Sequence, residues 1–200
     1  YSRRFNVALD GRKRYICFEG VDSCFYLYIN NNFVGFSQVA HRLSEFDITN
    51  YLVDGENKMD VLVLKWCMGS YLEDQDKFRY TGIFRDVYIL SRPQKHIVDY
   101  RIDTSIDGTV GFTLEEGTSA TVTFNGQTQQ VEEGQRIEFK VDNPKLWSAE
   151  NPYLYDMLIE SAGEYIGEKV GIRTSEIIDG IYLFNGKKIK IRGVNRHDGN

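Results

Sequence analysis

The feature that most constrains this chain is its rhythm. Apolar and polar residues alternate in short β-rich runs broken by Gly, Asn and Asp, and no run of helical period exceeds about ten residues. Successive side chains on a strand face opposite ways, so such alternation suits sheets with one face packed and one face wet. An all-β fold is predicted. Phe25, Leu27 and Ile29 alternate with Tyr26, Tyr28 and Asn30. Asn30-Asn31-Asn32 tolerates the positive φ of a turn, and Phe33-Val34-Gly35-Phe36 returns as the second arm of a hairpin. Asp47 stands where it would cap one short helical turn. The run 58–66 carries Met59, Val61, Leu62, Val63 and Leu64, apolar in both phases, and reads as a central strand buried on both faces with Trp66 at its end. A strand over 85–90 precedes Pro93, which interrupts pairing and marks the first domain boundary.

The second half continues in the same style, with strands expected over 97–106, 109–114, 119–124, 135–141, 153–161 and 165–173. Asn125-Gly126 is the strongest hairpin signal, because a type I′ turn needs positive φ twice. About seven short strands in some 80 residues suit an immunoglobulin-like sandwich, here with no Cys pair to bridge its sheets. Residues 181–184 and 188–194, joined at Asn185-Gly186, form one more hairpin, too small to stand alone. Its apolar side needs a neighbour in the sandwich or in sequence beyond Asn200.

Two hundred residues permit two cores of ordinary size, and 13 Tyr with 12 Phe exceed what a disordered chain carries. A net charge of -5 gives no electrostatic reason to expect nucleic acid or an anionic membrane as partner. No stretch reaches the ~18 apolar residues of a membrane span, and Tyr1-Ser2-Arg3-Arg4-Phe5 does not begin a signal peptide. Cys17, Cys24 and Cys67 are odd in number and lack metal-ligand spacing, which predicts core thiols in a reduced, cytoplasmic protein. Starting without Met and stopping at Asp198-Gly199-Asn200, the chain is expected to be a piece of a longer one.

Gly20-Val21-Asp22-Ser23, Asn31-Asn32-Phe33-Val34-Gly35 and Ser44-Glu45-Phe46-Asp47 resemble the sugar-binding jelly roll of glycoside hydrolase family 2. The resemblance sharpens at Gly69-Ser70-Tyr71-Leu72-Glu73-Asp74-Gln75-Asp76 and Gly82-Ile83-Phe84-Arg85-Asp86-Val87. Asn143-Pro144-Lys145-Leu146-Trp147-Ser148 and Asn151-Pro152-Tyr153-Leu154-Tyr155 resemble the sandwich that follows in that family. Asn185-Gly186-Lys187 and Ile191-Arg192-Gly193-Val194-Asn195-Arg196-His197 resemble the start of its (β/α)8 barrel. These polar stretches favour the β-galactosidase branch over the β-glucuronidases and β-mannosidases. The resemblance implies a jelly roll over 1–93 that lacks its first strands, an immunoglobulin-like sandwich over 94–174, and an opening hairpin with the first barrel strand over 175–200.

The function it implies is the non-catalytic portion of a retaining β-galactosidase, an enzyme that hydrolyses terminal β-D-galactose from galactosides such as lactose. Retaining glycosidases set two carboxylates about 5 to 5.5 Å apart. By the resemblance both catalytic glutamates lie beyond Asn200, so no catalytic residue is expected here and the chain alone is expected to be inactive. Glu73, Asp74 and Asp76 would, without the family, be read as solvated or paired with Lys77, Arg79 and Arg85. The resemblance gives Asp76 a narrower role, ligating sodium beside the sugar's primary hydroxyl, and makes His197 a contact of the galactosyl ring. It also implies sodium and magnesium in the full-length enzyme with neither bound by this part alone, a galactoside substrate, the rest of the enzyme chain as partner, and a homo-oligomer. His41 and His96 are expected at the surface, Trp66 in a core or hinge role, and Trp147 in a loop folded back on the sandwich. The alternatives are a free-standing carbohydrate-binding or oligomerisation module, or another family 2 glycosidase.

Overall fold

The computed structural model describes residues 1–72 and 79–195. Among these the chain is built of antiparallel strands with one five-residue helix and one 3-10 turn, and it divides into two compact units, Tyr1–Gln94 together with Val194 and Asn195, and Lys95–Gly193.

In the first unit the strands are β1 (Ser2–Val7), β2 (Lys13–Phe18), β3 (Val21–Asp22), β4 (Cys24–Ile29), β5 (Asn32–Ser37), β6 (Ser44–Asp47), β7 (Gly55–Leu64), β8 (Gly82–Ile83) and β9 (Val87–Arg92), with helix α1 (Met68–Leu72) after β7. They form a four-stranded sheet β1-β7-β4-β5, a three-stranded sheet β6-β2-β9 and the short pair β3-β8. The core between the sheets contains Ile16, Phe18, Phe25, Leu27, Ile29 and Val61, with Ile48 and Leu52 from the connection ahead of β7. The β4–β5 hairpin turns as expected, Asn30 and Asn31 both having positive φ (50° and 66°). Asp47 Oδ1 accepts the Thr49 N–H at 2.9 Å, but the N-cap of the 3-10 turn Thr49–Tyr51 is Ile48, which makes no side-chain cap, so Asp47 stands one residue ahead of the expected position.

β7 is central, as expected, but it is not buried on both faces. Met59, Val61 and Val63 face the core, whereas Leu62 is 54% and Leu64 40% exposed. A sheet in a two-layer sandwich has only one inner face, so the opposite phase of an apolar run is left outside.

In the second unit seven strands make the sandwich: β10 (Asp99–Thr104), β11 (Thr109–Glu116), β12 (Ala120–Phe124), β13 (Gln127–Val131), β14 (Arg136–Lys140), β15 (Tyr155–Ser161) and β16 (Glu164–Val170). Their sheets are β10-β11-β14 and β13-β12-β15-β16. Val110, Phe112, Leu114, Val122, Phe124, Phe139, Met157 and Ile159 pack between them. Asn125 and Gly126 take φ of 47° and 76°, the doubly positive geometry of the expected turn.

β17 (Ser175–Ile178), β18 (Ile181–Phe184) and β19 (Lys187–Lys188) form a small third sheet. It is anchored on Trp147, whose ring meets Phe184 edge-on at 5.9 Å and whose carbonyl accepts from Asn185 Nδ2 at 3.0 Å. Trp147 itself is held against the sandwich by its N–H to Ile172 O, at 2.9 Å, and by the Arg173 guanidinium 4.6 Å from its ring. The strand expected over 188–194 stops at Lys188. Ile191 and Val194 are 77% and 89% exposed, and among the described residues no edge pairs with 189–194, without which apolar alternation does not make a strand.

Candidate functional site

Two of the motifs that stand sixty residues apart in sequence are brought together in the first unit. β3 pairs with β8, Val21 opposite Ile83 and Asp22 opposite Gly82, and Phe84 N–H donates to Gly20 O at 3.2 Å. A Cβ on Gly20 would lie 2.7 Å from the Phe84 ring, so this close approach requires glycine. Just beyond the end of β7, Cys67 leads into α1, the first turn of the Gly69–Asp76 stretch. Ser70 N–H donates to Cys67 O at 3.1 Å, and Cys67 N–H donates to Ser70 Oγ at 3.1 Å. Ser23 Oγ bonds Ser70 Oγ and lies 3.0 Å from Cys67 Sγ, which ties the foot of this stretch to the β3–β4 junction.

Glu73, Asp74 and Asp76 lie outside the described residues, as does His197. Among the described residues a cleft of about 260 Å³ is bounded by Asp22, Ser23, His41, Lys65, Trp66, Ser70, Arg79 and Tyr80. One wall is aromatic: Tyr80 stacks on Phe84 at 4.5 Å, and His41 lies 5.3 Å from Phe84. The other carries Trp66, with Lys65 Nζ and Arg79 Cζ each 5.7 Å from its ring and Tyr71 stacked at 6.5 Å. Aromatic faces take the C–H faces of sugars, and flanking hydroxyls and cations take their oxygens. Asp22 is the one carboxylate among the described residues bounding the cleft. Among the described residues no group of three or more His, Cys, Asp or Glu is placed to hold a metal.

Three expectations are corrected here. Trp66 is 54% exposed, in phase with the outward Leu62 and Leu64, and so does not belong to the core. His96 is 8% exposed and therefore buried, and His41 is half-buried against Tyr80 and Phe84. Cys17 and Cys24 are core thiols as expected, but Cys67 is only half-buried. Burial first, then the Glu45 carboxylate, pushes the Cys17 thiol up to about 11. The cleft walls were not read from the sequence. The outward phase of β7 was the available signal, since counting on from Leu62 and Leu64 puts Trp66 on the same face.

Two family models match the chain: "Glycosyl hydrolases family 2, sugar binding domain" over residues 1–93, and "Glycosyl hydrolases family 2" over residues 85–173. The chain is 46% identical over 198 residues to a β-galactosidase of Actinobacillus pleuropneumoniae, covering 93% of this chain and 20% of that protein. It is 44% identical over 212 residues to a β-galactosidase of Staphylococcus xylosus, covering 99% of this chain and 21% of that one. Among solved structures, a β-glucuronidase from Ruminococcus gnavus superposes with a TM-score of 0.80 at 21% identity, over 96% of this chain and 37% of that one, a likeness of fold alone. The chain thus spans about a fifth of the length of the curated relatives it matches.

Proposed function

The chain belongs to glycoside hydrolase family 2, and from that premise we propose that it is the sugar-binding jelly roll and following sandwich of a retaining β-galactosidase, a part that braces a catalytic domain and lends it one loop. The observation that carries this reading is the 46% identity to a β-galactosidase across 93% of the chain. A β-glucuronidase is the second reading. It is supported by likeness of fold at 21% identity, a weaker warrant.

The aromatic and cationic walls of the cleft support a role in holding sugar where a neighbouring domain supplies the paired carboxylates. Asp76 belongs to the same proposal as an oxygen ligand of sodium near the sugar's primary hydroxyl, since a hard cation takes oxygen donors. His197 joins it as a contact of the galactosyl ring, and magnesium as a further ion of the full-length enzyme. The partners this reading takes are a galactoside, the remainder of the enzyme and further copies of it, and its compartment is the cytoplasm. The bracing role draws support from the outer face of the β1-β7-β4-β5 sheet, where Phe33, Phe36, Leu62 and Leu64 are each at least 40% exposed and Tyr26 packs among them. Contiguous apolar surface of this kind marks a contact site.

The reading is tested by the rates of the full-length protein on nitrophenyl β-galactoside, β-glucuronide and β-mannoside. Preference for the galactoside is expected, and preference for the glucuronide would move the assignment to the second reading. Asp76→Ala in that protein should weaken galactoside turnover and remove its dependence on sodium. Unchanged kinetics would take Asp76 out of the site while leaving the galactosidase reading intact.

A further inference from the structure

Two of the three cysteines are brought near one another at the β3–β4 junction, where the Cys67 sulfur reaches the carbonyl that adjoins Cys24. Cys24 opens β4 opposite Leu64, and Cys67 follows the end of β7 three residues later. The Cys67 sulfur lies 3.0 Å from Ser23 Oγ and 3.8 Å from Ser70 Oγ, and it donates to Ser23 O at 3.8 Å, the carbonyl that adjoins Cys24. Ser23 and Ser70, which bond the Cys67 sulfur, both line the cleft, and Cys67 itself is half-buried, whereas Cys24 is 2% exposed.

The two thiols are unequal. Burial works against a charge on Cys67, but the Ser23 hydroxyl, the Ser70 N–H and hydroxyl and the Gly69 N–H together outweigh it and lower its pKa. Burial, then the neighbouring Cys67 and a hydrogen bond to it, pushes the Cys24 thiol up to about 11. Cys67 therefore ionises first, with Cys24 beside it still carrying its proton. A half-buried, hydrogen-bonded thiolate next to a protonated thiol is the arrangement in which one sulfur attacks and the other resolves.

We infer that Cys67 and Cys24 form a hydroperoxide-responsive dithiol, with Cys67 the attacking sulfur and Cys24 the resolving one. The Cys67 thiolate attacks the O–O bond of a hydroperoxide. The sulfur is oxidised to a sulfenic acid, and the peroxide is reduced, its leaving oxygen departing as hydroxide or alkoxide. The Cys24 sulfur then attacks the sulfenic sulfur and loses its proton; the S–O bond breaks, water leaves and a Cys24–Cys67 disulfide forms. The product ties the start of β4 to the turn that launches α1 and the 73–78 segment. Cys17, whose thiol is pushed up beside Glu45, takes no part.

The test is mass spectrometry of the folded chain after exposure to hydrogen peroxide, with free thiols alkylated before digestion. The expected product has lost two hydrogens, joins the Cys24 and Cys67 peptides, and keeps Cys17 alkylatable, with Cys67 reacting at least about tenfold faster than Cys17. In Cys24→Ala the sulfenic acid should persist on Cys67 and be trapped by dimedone, and in Cys67→Ser neither remaining cysteine should react at that rate. Circular dichroism of both variants establishes that they fold. A wild-type chain that accumulates Cys67 sulfenic or sulfinic acid without the cross-link, or that oxidises Cys17 as fast, overturns the inference.

Discussion

Asn57 is 1% exposed and its amide is fully engaged. Oδ1 accepts from Val53 N–H and Asn30 Nδ2, both at 2.8 Å, and Nδ2 donates to Val53 O at 2.8 Å and Gly55 O at 3.0 Å. Asn30 in turn accepts the Lys58 N–H at 2.9 Å and donates to Tyr51 O at 3.0 Å. These two amides join the β4–β5 turn to the entrance of β7. Asn57→Ala leaves several buried polar groups without partners, each worth about 1 to 3 kcal/mol, so a loss of roughly 3 kcal/mol after relaxation is expected. The check is a urea titration in which the midpoint falls at unchanged slope. Gly35 shows the same economy by shape: a Cβ there would lie 2.4 Å from the Phe46 ring, which packs edge-on against Phe18 and Phe25. At this scale the sequence was legible where backbone demanded a residue type, as at Asn30, Asn125 and Gly126. It was opaque for His96, because nothing in the spacing of a single histidine says which way it points.

Turns decide how far an element can be read. The β10–β11 turn holds Gly108 at φ 87°, and a Cβ there would fall 2.1 Å from Val141 O. Asp107 closes the turn by accepting the Thr109 N–H at 3.0 Å and reaches Lys140 Nζ on β14 at 2.9 Å. The Lys140 ammonium first, then the Thr109 N–H, holds the Asp107 carboxyl well below the usual carboxylate range. A carboxyl depressed in the folded state stabilises above its unfolded pKa and loses that contribution as pH falls through the folded value. Asp107→Asn should therefore lower Tm at neutral pH, and the gap from wild type should close as the pH drops below about 4 and narrow in high salt. A gap that does not vary with pH would show that the turn, not the charge, is what matters. The strands bounded by such turns were read nearly to their ends. β7 was misread in its faces because it is apolar in both phases, and periodicity cannot tell a two-sided strand from a one-sided strand with a sticky back. The run over 188–194 was misread for the complementary reason, since alternation describes a strand only where a partner edge exists.

For the molecule as a whole, the outer face of the β1-β7-β4-β5 sheet is the feature with the largest consequence. With Phe33, Phe36, Leu62 and Leu64 exposed, the isolated chain should self-associate at micromolar concentration, and the paired substitution Phe33→Ser with Leu62→Lys should shift it toward monomer in sedimentation equilibrium without lowering Tm. A wild-type chain that stays monomeric on concentration would remove this face as a contact. The all-β architecture was legible throughout, because it follows from the alternation. The candidate site was legible only in part. Its motifs Gly20-Val21-Asp22-Ser23 and Gly82-Ile83-Phe84 could be quoted, but their pairing in β3-β8 and the cleft they border depend on contacts across some sixty residues that no local pattern encodes.

The central claim, that these domains serve a glycosidase without performing its chemistry, is tested most directly by assaying nitrophenyl β-galactoside with the 200-residue chain and the full-length protein side by side. The account predicts turnover by the full-length protein and none by the chain at any pH; hydrolysis by the chain alone would mean that its own carboxylates form an active centre, and would contradict it.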